Sequence, residues 1–141
     1  MLDVDSLLGE LADPAAEPFD ALATGTIMGH VHLKAAAIPD TVAFYRDLLG
    51  FGLMAQLGSQ AAFLSAGGYH HHIGANTWES SGAPPPPAGT ASLRHATIVI
   101  PDAPERDRLI TRLERDGRSL DERDANLIVD PSGNRLLITV A

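Results

Sequence analysis

The chain has 141 residues, enough for one domain with its own core and too few for two of ordinary size. Hydrophobic residues make up 45 % and charged residues 20 %, a globular composition rather than a disordered one. A formal charge of −8 argues against general affinity for nucleic acid or anionic membranes. The absence of cysteine excludes disulfides and thiolate metal sites, and no apolar run reaches the roughly 20 residues a membrane helix needs.

Residues 1–25, opening MLDVDSLLGELAD, read as a short acidic amphipathic helix and an irregular arm. They lack the basic start and long apolar stretch of a signal peptide, so a cytoplasmic protein is expected. Residues 27–35 alternate like a strand. Pro39 opens a helix that runs through Leu49, and Gly50 stops it. Strand-type runs follow at 51–57, 61–65 and 69–75, punctuated by Gly58 and Gly67-Gly68. Residues 80–91, with four consecutive prolines, read as an extended connector. Beyond it come strands at 93–100, 118–122, 126–130 and 135–140, and a helix at 104–115. Asp130-Pro131-Ser132-Gly133 is a turn.

The two halves follow one script. Shifting the chain by 65 residues lays His30-Val31-His32-Leu33 on His95-Ala96-Thr97-Ile98 and Phe44, Tyr45 and Leu48 on Leu109, Ile110 and Leu113. Without a gap, Phe63 then meets Ile128 and His72 meets Leu137. The expected fold is α+β: two tandem βαβββ modules, residues 26–79 and 92–141, forming an open, cleft-bearing sheet.

Strand alternation assigns faces. Val31, Leu33 and Ala35 form the set that packs under the first helix, so His30, His32 and Lys34 face away. In the second module His95, Thr97 and Val99, and in the last strand Arg135, Leu137 and Thr139, take the open face. In the run Tyr69-His70-His71-His72, alternation puts His70 and His72 on the open face and His71 towards the helix layer. His30, His72, His95 and Leu137 thus occupy four equivalent positions that converge if the modules are related by a pseudo-twofold axis. Three imidazoles there would suit one divalent Fe, Zn, Ni or Cu ion.

GHVHLKA at 29–35, FYRDLLGFGL at 44–53, FLSAGGYHHHIGANTW at 63–78 and DPSGNRLL at 130–137 resemble the vicinal oxygen chelate superfamily of glyoxalase, bleomycin resistance and extradiol dioxygenase proteins. The likeness covers residues 26–141 and is greatest to the C-terminal half of catechol 2,3-dioxygenase-like proteins. It implies a concave sheet holding one divalent metal and a small substrate with neighbouring oxygens. The family's ligand histidines fall on His30 and His95, and its glutamate falls where this chain has Leu137. His72 as third ligand is our own reading, from the module shift and the faces.

On this basis His32 and His70 are candidate general bases, and Thr97, Arg135 and Leu137 candidate substrate contacts. A metal-dependent dioxygenase, isomerase or lyase is one reading; a non-catalytic small-molecule binder with a degenerate metal site is the other, favoured by Leu137. Exposed sheet edges and the missing half of the longer relatives point to a homodimer.

Overall fold

Pairing, more than local propensity, sets where the strands begin and end. The computed structural model describes residues 3–10, 21–87, 89–117 and 126–141. After a short helix α1 (Val4–Gly9), strand β1 (Val31–Lys34) pairs in parallel with β4 (Ile73–Asn76). Both are shorter than the alternation at 27–35 and 69–75 suggests, because a strand persists only where its backbone N–H and C=O groups find partners. With β2 (Gly52–Leu57) and β3 (Ala61–Ser65) they form a four-stranded sheet in the order β1-β4-β3-β2. A second sheet runs β5-β7-β6, from β5 (Ala96–Ile100), β6 (Leu127–Val129) and β7 (Arg135–Val140). The expected strand at 118–122 and much of the N-terminal arm lie outside the described residues.

Between β1 and β2, helix α2 (Ile38–Val42) carries a proline in its first turn and continues as a π-helical turn over Ala43–Leu48. Gly50, at φ 90°, supplies the left-handed residue that ends it. In the second module α3 (Ala103–Arg115) is capped by Asp102, whose carboxylate accepts the Glu105 N–H at 2.8 Å. Leu109 and Leu113 are its buried face.

These helices meet in one apolar core rather than two. Leu33, Leu64, Ile73 and Ala75 from the first sheet and Phe44, Tyr45 and Leu48 from the first helix join Leu109, Leu113, Ile128, Leu136 and Ile138 from the second module. Each fully buried leucine or isoleucine contributes about 1.5–3 kcal/mol. A polar seam fixes the modules against each other. The Asp130 carboxylate, 5 % exposed, accepts from the Ser132 and Asn134 N–H groups, the Asn134 side chain and the Tyr45 hydroxyl. Asn134 also donates to the Lys34 carbonyl, and Ala36 N–H donates to Ser132 Oγ. Burial, and then the Asp130 charge, push the Tyr45 phenol well above its ordinary value. Arg112 of α3 donates to the Leu48 and Leu49 carbonyls, capping the C-terminal end of the first helix.

The strand registers correct the gapless repeat. Val31, Ile73 and Leu64 lie in one cross-strand row, and Ala96, Leu136 and Ile128 form the corresponding row. The next row is His32, Gly74 and Phe63 in the first module and Thr97, Leu137 and Leu127 in the second. Ile128 therefore matches Leu64, not Phe63; Leu137 matches Gly74, not His72; and His72 matches Arg135. The segment joining the last two strands, 65–72, is one residue longer than its counterpart, 129–135. Burial enforces this: Leu64 and Ile128 both sit in the core, whereas the gapless alignment sets half-buried Phe63 on core Ile128.

Candidate metal centre

The face of the first sheet turned away from the helices carries His32, Phe63 and Gly74 in one row, with Lys34, Ala61 and Asn76 in the next but one. His30 stands immediately before β1, and the run His70-His71-His72 immediately before β4. Those three histidines follow a turn through Gly67 and Gly68, both at positive φ, where glycine avoids the Cβ clash of the left-handed region. The strand ladder begins at Ile73, preceded only by His72, whose N–H donates to the Leu64 carbonyl and whose carbonyl accepts the Val31 N–H, so the alternation assumed for 69–71 does not apply.

This loop geometry turns His71 away from its expected place in the helix layer. Its ring lies 4.6 Å from His30, 4.7 Å from His70 and 5.1 Å from Phe63. His30, His70 and His71 each offer a ring nitrogen, and these atoms all lie within 4.8 Å of one another. Among the described residues this is the one such group of three or more metal-ligating side chains. Burial, and then the neighbouring imidazoles led by His30 and His70, hold His71 below the ordinary histidine value. That favours the neutral ring, the form that ligates a metal. Three neutral imidazoles without thiolate or carboxylate fit Zn, Fe, Ni or Cu and do not fit Mg or Ca.

The other candidates take separate positions. His72 lies near Ser65, its Nδ1 accepting the Ala66 N–H at 3.3 Å, and its ring is 4.7 Å from Tyr69. With Nδ1 as acceptor the proton resides on Nε2. His95, half-buried just before β5, joins no such group among the described residues. His70 is drawn into the cluster itself. His32 lies on the sheet proper, its Nε2 2.8 Å from Asn76 Nδ2 and its ring 5.9 Å from Trp78 and 6.2 Å from Phe63.

Thr97 and Leu137 are cross-strand neighbours on β5 and β7, while Arg135 is exposed at the start of β7. A cavity of about 500 Å³ runs between the modules, walled by Met28, His30 and His72 on one side and Ala96, Thr97 and Val99 on the other. A second, of about 460 Å³, opens beneath the proline-rich connector and touches His32, Lys34, Pro84, Pro86, Ser92 and Asn134. His30 and His32, two residues apart on one strand edge, thus border different cavities.

Sequence reasoning missed His71 as a cluster member, and Gly74 and Asn76 as neighbours of His32. The signal for the first was the Gly67-Gly68 pair, which delays the strand. Gly74 and Asn76 follow only from register.

Residues 27–138 match the family model of the Glyoxalase/Bleomycin resistance protein/Dioxygenase superfamily. Over 132 residues the chain is 39 % identical to a catechol-2,3-dioxygenase of Bacillus subtilis (strain 168), covering 92 % of this chain and 45 % of that protein. The chain thus spans less than half the length of that relative. Among solved structures, lactoylglutathione lyase from Agrobacterium tumefaciens superposes with a TM-score of 0.60 at 20 % identity, over 84 % of this chain and 96 % of that one. TnmS3, an antibiotic binding protein from Streptomyces sp. CB03234, superposes with a TM-score of 0.60 at 19 % identity, over 84 % and 98 % of the two chains. These two likenesses establish the fold.

Proposed function

The chain belongs to the glyoxalase/bleomycin resistance protein/dioxygenase superfamily, and from that premise we propose that it is a metal-dependent enzyme acting on a small molecule with neighbouring oxygens, with one divalent ion held by His30, His70 and His71. The observation that carries this reading is the approach of those three ring nitrogens to within 4.8 Å. When bound, such an ion supplies Lewis acidity to oxygens placed on it. The chain's own residues do the rest. Phe63 backs the cluster, its ring 5.1 Å from that of His71. Tyr69 lies beside His70 and His72, ring centroids 4.1 and 4.7 Å away. Thr97 offers a hydroxyl across the cavity from His30.

Metal content of the full chain tests the ligand set. Near one ion per chain is expected for wild type, His72→Ala and His95→Ala, and loss is expected for His30→Ala, His70→Ala and His71→Ala. Retention in His70→Ala and His71→Ala with loss in His72→Ala and His95→Ala would replace this set by the convergent one, in which His30, His72 and His95 are the ligands. Oxygen uptake with catechol and isomerisation of 2-oxoaldehyde adducts then separate the reaction classes.

A second reading has one specific support. The β7 position beside Thr97 holds Leu137, which supplies neither charge nor ligand atom. A protein that binds a small molecule without turning it over accommodates that leucine. Tight stoichiometric ligand binding by metal-free protein would favour it. Two copies of the chain are proposed to associate, a reading supported by β1 and β5, each paired on one side only among the described residues. Light scattering of the purified chain tests this.

A further inference from the structure

Asn76 has two jobs that fix its amide, and through it the imidazole of His32. Its Oδ1 accepts the backbone N–H of Trp78 at 3.1 Å. A backbone N–H only donates, so Oδ1 must face Trp78 and the NH₂ must face His32. Asn76 Nδ2 lies 2.8 Å from His32 Nε2. An amide NH₂ also only donates, so Nε2 is an acceptor and the neutral ring carries its proton on Nδ1.

The ring is held in place as well as in tautomer. A Cβ on Gly74 would come within 2.8 Å of His32 Nδ1 and 3.2 Å of Cγ and Cε1, so the imidazole lies face-on over residue 74. Any side chain larger than hydrogen there displaces it. The corresponding row of the second module shows the complementary choice, small Thr97 beside large Leu137. Trp78 and Phe63 bound the ring on its other sides.

We infer that Asn76 and Gly74 are positioning residues that lock His32 as its Nδ1–H tautomer, so that the open face presents a fixed N–H donor to an acceptor oxygen of the bound molecule. His32 is then a binding and orienting group whose Nε2 is already occupied, not the proton acceptor that its place on the strand suggests. The ligand chemistry it selects is an oxygen acceptor, carbonyl, phenolate or carboxylate; the nearby Lys34 ammonium is held by Glu79 at 2.6 Å. The tautomer stands on hydrogen bonding alone; the role towards a ligand rests on the small-molecule reading above.

Imidazole ¹H–¹⁵N correlation spectra of the full chain, at a pH where His32 is neutral, test the lock without metal or substrate. Wild type should show a protonated-type Nδ1 and an unprotonated-type Nε2 for His32. Asn76→Asp, whose carboxylate only accepts, should reverse the two. An averaged or reversed pattern in wild type overturns the inference. Binding of catechol tests the donor role: His32→Phe keeps the ring packing and removes the N–H, and should weaken catechol about tenfold, the size of one lost hydrogen bond of about 1.4 kcal/mol. Unchanged catechol affinity in His32→Phe overturns the role in binding. A locked tautomer in a protein that holds no metal would sink the metal centre and leave this lock standing.

Discussion

The two modules are built to one plan and diverge at one row. In the first, the row His32, Gly74 and Phe63 pairs a large imidazole with a residue that has no side chain; in the second, Thr97, Leu137 and Leu127 pair a small hydroxyl with a leucine. Before that row, the first module's longer connection at 65–72 bunches imidazoles against His30. The second module's tighter DPSGN turn spends its polar groups on Asp130 instead. The two connections thus differ by one residue in length and in composition, a histidine cluster in one and a structural turn in the other. The core faces of the two modules match, where burial punishes any change of parity, and their open faces differ.

The difference between modules can be broken most directly at the loop. Deleting Gly67, which gives the first module the shorter spacing of the second, should abolish stoichiometric metal while leaving a cooperative unfolding transition; metal analysis beside urea denaturation reads both. Core losses come next. Leu48 and Leu113 are equivalent positions in the two helices, 8 % and 0 % exposed. Each changed to alanine should cost about 2–5 kcal/mol, with Leu113→Ala at the upper end because its site is the more closed. Equal costs in urea denaturation would mean that the modules contribute alike.

The polar seam sharpens the same comparison. Asp130→Ala leaves four donors without their acceptor and should cost about 3 kcal/mol, against about 1 kcal/mol for Tyr45→Phe. Arg112→Ala removes the cap that the second module gives the first helix, with an expected loss of about 1 kcal/mol. The smallest effect is alkaline. The Tyr45 phenol is raised above its unfolded value, so the native state keeps the proton longer than the unfolded chain. Its contribution is complete below about pH 10 and is lost as pH rises through the folded value. Stability against pH should therefore fall less steeply above pH 10 in Tyr45→Phe.

Periodicity and turn chemistry alone determined the α+β class, the order of the described elements and the core faces. Leu33, Ala35, Leu136 and Ile138 are buried where alternation put them, because apolar residues at period two have one face to hide. His30 stood out for the same reason, being polar at a strand edge. Which imidazoles meet was decided only by the tertiary structure. That depends on where β4 begins to pair, and pairing is a long-range contact that the local pattern of 69–75 does not encode. Likewise, Gly74 under His32 and the amide of Asn76 against it follow from which strands are neighbours and in what register. A sequence repeat conveys that register only as long as every loop keeps its length.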